Sequence, residues 1–216
     1  MFKWKPVEPL KYGWLEIVLD KEPIDYLKKI IKNKKQKSNH TLAGNITQSN
    51  FITDENNWFM NNVVNPCIDH YIKEFGEHFY HKYLMHNCAM ELDKFWVNFQ
   101  QKYEFNPMHN HTGVFSFVVW IDIPTNWVKE HNVSFSKGSN RAVASDFCFV
   151  YTDILGRLRN YWYKLNQSQN GTMLFFPAEL QHQVYPFYTS NKNRVSVSGN
   201  ISLNPLKVVP NNVQKR

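Results

Sequence analysis

Cysteine is scarce in this sequence of 216 residues, and it contains neither a C-x-x-C pair nor a long apolar run. The three cysteines, Cys67, Cys88 and Cys148, are far apart, which excludes a thiolate zinc site of the usual kind and a disulfide framework. Cys67 and Cys148 have apolar neighbours, so we expect small core residues rather than nucleophiles. No stretch approaches the roughly 20 apolar residues that span a bilayer, and the first residues lack the apolar region of a secretory signal. These absences predict a cytoplasmic protein.

The composition is that of a folded protein with an excess of basic residues. Hydrophobic residues make up 43% of the chain and aromatic residues 16%, which argues against disorder. The 25 basic and 18 acidic residues give a net charge of +7, with the densest basic run at residues 28–37. A basic excess fits a nucleic acid or another polyanion as partner. A solvated helix face explains such a run more simply, and we favour it.

The length predicts one domain over residues 1–216, and its first part, residues 1–90, reads as a helical layer. Residues 20–35 carry apolar side chains at helical spacing with lysines on the opposite face. Residues 38–53 are polar and predict a loop. A second helical stretch is expected from Glu55 to about Lys82, with Pro66 as a point where it kinks.

The apolar period changes from helical to alternating near Leu92, which predicts a β-core over residues 91–204. About seven short strand-like runs follow one another, separated by turn signals. Residues 125–145 are polar and predict a long insertion or loop, and the tail, residues 205–216, is expected on the surface. Helices followed by antiparallel strands predict a mainly β, α+β fold: a β-sandwich or jelly roll backed by helices.

Three histidines are candidates for one metal site. His109 and His111 lie in the sequence MHNHTG, and His182 lies in FPAELQHQVYP. Side chains two residues apart on an extended backbone point to the same face, so the first two can bind one ion together. A third ligand from another strand leaves positions open, as a catalytic site requires. Imidazole ligands suit Fe(II), Zn(II), Mn(II) or Ni(II).

A polar strand face is predicted in the run RVSVSGN. Arg194, Ser196, Ser198 and Asn200 share this face, and apolar residues occupy the other. Inside an otherwise apolar β-region such a face is expected to line a polar cavity, where Arg194 can hold a carboxylate through two hydrogen bonds. A solvent-facing strand is the alternative.

These motifs, in this order, resemble the iron(II)/2-oxoglutarate-dependent oxygenases, which share a double-stranded β-helix (jelly-roll) core. The phrases NPMHNHTGVFSFVVWIDIP, GTMLFFPAELQHQVYPF and NRVSVSGNI are similar to small oxygenases of tailed phages, especially those of marine cyanobacteria. The resemblance covers about residues 91–204. It implies a jelly-roll catalytic core and, if the chain is phage-encoded, a location in the host cytoplasm.

The resemblance implies that His109, His111 and His182 ligate Fe(II). This sequence departs from the family at the second position, where an aspartate or glutamate is usual and His111 stands instead. Either the site has three histidines or a carboxylate from elsewhere completes it, with Glu179 and Asp122 the nearest in sequence. We favour three histidines, because neither acid occupies the matched position.

The resemblance also implies the cosubstrate site. Arg194 with Ser196 is expected to bind the distal carboxylate of 2-oxoglutarate, and Asn98 and Tyr103 to help bind it or shape the pocket. Their side chains can instead lie on an exposed strand face. The implied reaction is hydroxylation by O2, with 2-oxoglutarate converted to succinate and carbon dioxide. The substrate stays open between a peptide side chain, a nucleobase and a small metabolite, and the two polar segments before and within the β-core are expected to select it.

Two other functions fit the same residues. A cupin-like metalloenzyme that does not use 2-oxoglutarate would keep the three histidines and leave Arg194 a structural role. A non-catalytic phage binding or structural protein on the same fold would bind metal weakly, and salt-sensitive binding of DNA or RNA would be its signature.

Overall fold

The computed structural model describes Lys5 and residues 12–33, 37–38, 43–75 and 88–208. In chain order the first elements are β1 (Leu15–Val18), α1 (Lys21–Lys32), β2 (Ser49–Phe51), a 3-10 turn (Glu55–Asn57), a π-helical turn (Met60–Val64) and α2 (Asn65–Phe75). The elements that follow are β3 (Cys88–Gln100), β4 (Asn106–His109), β5 (Phe115–Asp122), α3 (Trp127–His131), β6 (Phe147–Thr152), β7 (Leu158–Tyr163), a 3-10 turn (Gln167–Gln169), β8 (Thr172–Pro177), β9 (Gln181–Val184) and β10 (Arg194–Val208). None of the helices in these ranges is long and apolar enough to cross a bilayer.

The strands form two antiparallel sheets. The major sheet has the order β1-β8-β5-β10-β3-β2, and the minor sheet has the order β4-β9-β6-β7. Two sheets with helices on one outer face confirm the predicted mainly β, α+β fold of the jelly-roll type.

The outer core lies between the helices and the major sheet. Leu27 and Ile30 of α1 are buried there, which confirms the apolar stripe predicted for this helix. Tyr71 of α2 packs edge-on against Phe115 of β5, with ring centroids 5.0 Å apart. Each such buried side chain stabilises the fold by roughly 1.5–3 kcal/mol, so the helices are held by the sheet rather than by their own propensity.

The inner core lies between the two sheets and borders the candidate site. Val118 and Trp120 of β5 pack there with Phe147 and Phe149 of β6, whereas Phe117 faces the helices. Both faces of β5 are therefore buried, which explains why its sequence is continuously apolar instead of alternating.

The N-terminal layer is not purely helical, so the prediction for residues 1–90 is wrong in part. β1 pairs with β8 at one edge of the major sheet, and β2 pairs with β3 at the other. β2 also falls within residues 38–53, which were predicted to be a loop. Three residues of polar sequence carry no alternating pattern, and Ser49 and Asn50 are buried through hydrogen bonding to the sheet rather than through apolar character.

The second predicted helix, from Glu55 to about Lys82, begins irregularly. The Asp54 carboxylate caps it by accepting hydrogen bonds from the backbone N–H groups of Phe59 and Met60, each 2.8 Å long. A π-helical turn precedes Pro66, where proline has no N–H and its ring crowds the preceding turn. Regular α-helix is described only as far as Phe75, and the last part of the prediction lies outside the described residues.

Two predictions for the second half need correction. Residues 125–145 are not only a loop, because they contain α3. Residues 205–208 of the predicted surface tail extend strand β10, and the remaining tail lies outside the described residues. The prediction for the cysteines holds: Cys67 and Cys148 are buried, and burial raises the pKa of these thiols to about 12 and about 11.

Candidate metal centre and cavity

Strand pairing brings the three predicted histidines together. β4 and β9 are antiparallel neighbours, and His109 lies opposite His182 in their register. The backbone N–H of His111 donates to the carbonyl oxygen of Ala178 directly after β8, which holds the segment after β4 against the turn that leads into β9. One ligand atom from each of the three imidazoles lies within 4.8 Å of the others, so the group can hold a metal ion.

Backbone carbonyls orient two of the rings. Nδ1 of His109 lies 2.7 Å from the carbonyl oxygen of Pro107, and Nδ1 of His182 lies 2.9 Å from that of Leu180. A ring that donates from Nδ1 keeps the lone pair of Nε2 free for a metal. These two contacts select the metal-binding tautomer.

The histidines are electrically neutral ligands. Burial lowers the pKa of His109 and lowers that of His182 well below the usual value. The pKa of His111 falls to about 3, first through burial and then through the charges of His109 and Lys94. A site that disfavours protons in this way is ready to bind a divalent cation at neutral pH.

Neither carboxylate considered from the sequence joins the group. Among the residues that the structure describes, the group of side chains close enough to share one ion consists of the three histidines alone. Asp122 and Glu179 are exposed and lie outside this group. The arrangement is the three-histidine one that the sequence favoured.

The histidines open into a cavity of about 210 Å³ between the two sheets. Alternate residues of β3 and β10 line one wall: Lys94, Trp96, Asn98 and Gln100 from β3, and Arg194, Ser196, Ser198 and Asn200 from β10. Asn98 is 6% exposed and Arg194 is 2% exposed, so the alternative of a solvent-facing strand is wrong. The volume is below the roughly 300 Å³ at which pockets for drug-sized ligands begin.

Arg194 lines this cavity and is held by hydrogen bonds on its terminal nitrogens. Its Nη2 donates to the carbonyl oxygen of Ser145 at 2.9 Å and to the hydroxyl of the same residue, and its Nη1 donates to Oε1 of Gln100 at 3.4 Å. Its Nε is buried and has no hydrogen-bond partner among the residues that the structure describes. Burial lowers the pKa of Arg194 to about 10, so it stays charged at neutral pH. A buried guanidinium with a free N–H is suited to a carboxylate ligand.

The sequence did not reveal the residues that support Arg194 from behind. Ser145 has a φ of 73°, an unusual conformation for a residue with a side chain, and it turns both of its oxygens toward the guanidinium. Glu130 of α3 is fully buried and accepts hydrogen bonds from the backbone N–H groups of Tyr188 and Thr189. These bonds fix the segment that carries Phe187, whose ring lies 5.1 Å below the guanidinium. The signal available in the sequence was a single acidic residue inside a polar insertion.

A second buried carboxylate lies near Arg194. Asp146 is 1% exposed and contacts His131 of α3 at 3.0 Å. Burial raises the pKa of Asp146, and the hydrogen bond from His131 opposes this shift. Glu130, Ser145 and Asp146 thus lie behind the arginine, and the lining of the cavity includes no residue of 125–146; the substrate-selecting role expected for residues 125–145 stays a prediction.

Other predicted residues fall on both sides of the cavity boundary. Ser196 and Asn98 line the wall, whereas Tyr103 does not. Tyr103 is 60% exposed, has a φ of 72° and packs against Tyr188 with ring centroids 5.6 Å apart. From the polar segment at residues 38–53, Ala43, Gly44 and Ile46 close one side of the cavity, which places that segment where a substrate-selecting loop was expected.

Comparisons with known proteins agree with this geometry. Residues 94–200, about half of the chain, match the family model described as "Putative 2OG-Fe(II) oxygenase". A prolyl-4-hydroxylase from Pseudomonas putida superposes with a TM-score of 0.53 at 11% identity, over 89% of this chain and 94% of that one. A Burkholderia pseudomallei oxidoreductase of the 2OG-Fe(II) oxygenase family superposes with a TM-score of 0.53 at 12% identity, over 88% of this chain and 84% of that one.

HygX from Streptomyces hygroscopicus, solved with nickel, 2-oxoglutarate and hygromycin B bound, superposes with a TM-score of 0.51 at 10% identity, over 88% of this chain and 83% of that one. At these identities the structural likeness shows the fold alone. No curated protein matches the sequence, and the resemblance to phage oxygenases stays a prediction. The match over residues 94–200 runs from within β3 to within β10 and contains all three histidines and Arg194, and this chain belongs to the 2OG-Fe(II) oxygenase family.

Proposed function

We propose that this protein is an Fe(II)- and 2-oxoglutarate-dependent dioxygenase that hydroxylates a C–H bond of its substrate. In the balanced reaction, the substrate, 2-oxoglutarate and O2 give the hydroxylated substrate, succinate and carbon dioxide. One observation carries the proposal: neutral imidazoles able to hold a metal share one small cavity with a buried arginine whose Nε has no partner.

The residues of this chain bind, orient and shield the reactants. His109, His111 and His182 hold the metal, which supplies the activation of O2 when bound. Arg194 holds the distal carboxylate of 2-oxoglutarate, and Ser196 and Asn98 add donors along the same wall. No side chain needs to act as a general acid or base, since the cosubstrate and metal carry out the oxidation.

Aromatic side chains exclude water from the reacting centre. Trp120, Phe147 and Phe176 line the cavity and are each at most 2% exposed. The ring of Phe147 stacks on that of His182, with centroids 5.7 Å apart. A dry site strengthens the interactions of its charged groups and protects a reactive centre from side reactions.

Succinate formation tests this function. Iron-loaded protein is mixed with 2-oxoglutarate and ascorbate under anaerobic conditions, and air is then admitted. Succinate is followed by NMR during the slow turnover without a substrate, in which ascorbate supplies the two electrons that a substrate would otherwise provide. We expect succinate from the unmodified protein and from the exposed-site control His70→Ala, and none above background from His182→Ala. Iron that binds without any conversion of 2-oxoglutarate contradicts the proposal and favours a cupin-like metalloenzyme. The cytoplasmic location stays a prediction.

A further inference from the structure

The cavity has an uneven charge. Among the residues that the structure describes, its lining includes two cationic side chains, Lys94 and Arg194, and no aspartate or glutamate. Arg194 is held by Ser145 and Gln100, whereas Lys94 makes no hydrogen bond or ion pair with any residue that the structure describes. An ammonium without a protein partner at the cavity is available to an anionic ligand.

Lys94 and Arg194 lie at opposite ends of one polar wall. In the antiparallel pair β3 and β10, Arg194 is opposite Gln100 and Lys94 is opposite Asn200. Lys94 lies six positions before Gln100 on β3, so their backbones are roughly 20 Å apart along the strand. Lys94 lies near the metal-binding end, because Trp96, two residues along the same face of β3, has its ring centroid 5.7 Å from that of His111. One small dicarboxylate held at Arg194 therefore leaves Lys94 available to a second ligand.

The wall between the two cations offers hydrogen-bond donors. Oδ1 of Asn98 accepts a hydrogen bond of 2.6 Å from the hydroxyl of Ser49, and Oδ1 of Asn200 accepts one of 3.1 Å from that of Ser116. The hydroxyl of Ser116 also lies 3.0 Å from the carbonyl oxygen of Gly199, and each asparagine keeps an amide NH2 group that can donate to a ligand. Donors and cations together suit a ligand rich in acceptors.

The three-histidine centre increases the positive charge. A carboxylate at the position of His111 would have cancelled one charge of a divalent metal, and imidazole cancels none. The metal, Lys94 and Arg194 then exceed the two negative charges of 2-oxoglutarate by two. An anionic substrate offsets this excess, whereas a neutral one leaves it in a poorly hydrated cavity.

We propose that Lys94, with the amide of Asn200 beside it, binds an anionic group of the substrate, either a carboxylate or a phosphate. The ammonium is a compact point charge on a flexible stem, and it accepts either group without the planar geometry that arginine requires. The small volume of the cavity leaves room for the anionic end of a substrate next to the metal rather than for a bulky group. The assignment of Arg194 to 2-oxoglutarate rests on the function proposed above.

Calorimetry on a nickel-loaded protein tests the site without turnover. The protein is saturated with 2-oxoglutarate and then titrated with acetate, with methyl phosphate and with acetamide, a neutral analogue of acetate. We expect an anion to bind and acetamide not to bind. Lys94→Met should weaken that binding by at least roughly tenfold, and Lys94→Arg should retain most of it. The exposed-lysine control Lys137→Met should leave it unchanged. The anion that binds more tightly identifies the carboxylate or the phosphate class.

Three results overturn the proposal. They are equal binding of acetate and acetamide, anion binding that Lys94→Met does not change, and a loss of 2-oxoglutarate affinity in Lys94→Met, which would make Lys94 a cosubstrate residue. If 2-oxoglutarate itself does not bind the nickel protein, the proposed function fails separately. In that case the same anion titrations on the nickel protein without 2-oxoglutarate still decide the role of Lys94. The melting temperature of each variant shows whether weaker anion binding comes from misfolding.

Discussion

The Nε2 atoms of His111 and His182 lie 3.1 Å apart, although 71 positions separate the two residues in the sequence. Nδ1 of His182 lies 2.9 Å from a backbone carbonyl, so its Nε2 carries a lone pair that points toward the other ring. Both rings have a lowered pKa and are neutral. In the metal-free protein the Nε2–H of His111 can donate to this lone pair; a bound cation would replace that proton and bind both nitrogens, which is the basis of the metal site.

Removing one histidine should abolish tight metal binding. His182→Ala leaves two ligands of three, and we expect the affinity for Ni(II) or Fe(II) to fall by about 100-fold or more, or about 2.7 kcal/mol. Isothermal titration under anaerobic conditions measures it. His70→Ala is the control, because His70 is exposed and lies outside the group. An unchanged affinity in His182→Ala would remove this residue from the metal site.

The metal-free protein should lose stability as the pH falls. The pKa of His111 is about 3 when folded, so between this value and about 6.5 only the unfolded chain protonates it. Stability is then complete above about pH 6.5 and decreases on acidification, by up to about 1.4 kcal/mol per pH unit for each such histidine. His109 and His182 act in the same direction.

Urea unfolding at about pH 7.5 and about pH 5.5 measures this dependence. The variant His111→Asn should lose less stability between the two values than the unmodified protein, because one titrating ring is gone. Comparing the two proteins also removes the contribution of Asp146, whose raised pKa acts in the opposite direction. Equal pH dependence of both proteins would show that His111 is not held neutral by the fold.

Arginine at position 194 should matter for its shape as well as for its charge. Arg194→Lys keeps the charge but loses the planar set of donors that contacts Ser145, Gln100 and the carboxylate. We expect roughly 10- to 100-fold weaker binding of 2-oxoglutarate to the nickel protein, with nickel affinity within about twofold of normal. Arg159→Lys on the surface is the control. If both affinities fall together, the effect comes from a damaged fold.

The buried carboxylate of α3 should support the arginine at a distance. Glu130→Gln loses a charged acceptor that binds the backbone N–H groups of Tyr188 and Thr189, and we expect about 1–3 kcal/mol lower stability in urea unfolding. Binding of 2-oxoglutarate should weaken as well, because this segment carries the ring below Arg194. The exposed-site control Glu22→Gln should change neither quantity by more than about 0.5 kcal/mol. Normal 2-oxoglutarate affinity in a destabilised Glu130→Gln would limit this residue to a structural role.

A glycine at the edge of the cavity should be intolerant of a side chain. A Cβ on Gly44 would lie 1.7 Å from Oδ1 of Asn106, so Gly44→Ala must displace one of the two segments. We expect a loss of about 1–3 kcal/mol on thermal unfolding. The double variant Gly44→Ala/Asn106→Ala should recover part of this loss, and Gly138→Ala, with nothing within 4 Å, is the control. No recovery in the double variant would show that Asn106 is not the obstacle.

Period-two alternation predicted the parts of the site that lie on long strands. It placed Arg194 and Ser196 on one face, and the pairing of β3 with β10 then puts Asn98 on the same wall. The same reasoning failed for Tyr103, because the strand ends at Gln100 and the backbone turns with a positive φ.

Contacts between distant segments could not be predicted from one sequence. Glu130 binds residues 58 and 59 positions away, and Ser145 reaches Arg194 across 49 positions. The short edge strands β1 and β2 were missed for a related reason, since three or four residues carry too little pattern and pairing with a neighbour decides their structure.

The central claim is that one cavity holds Fe(II) through His109, His111 and His182 and 2-oxoglutarate through Arg194. Anaerobic addition of Fe(II) to the protein, with and without 2-oxoglutarate, tests it through the visible charge-transfer band of a chelated keto acid. We expect a band that forms only when both Fe(II) and 2-oxoglutarate are present and that is absent in His182→Ala. In Arg194→Lys the band should form at a higher concentration of 2-oxoglutarate. Iron binding that produces no band at saturating 2-oxoglutarate would contradict it, and the absence of tight iron binding would favour a non-catalytic binding protein.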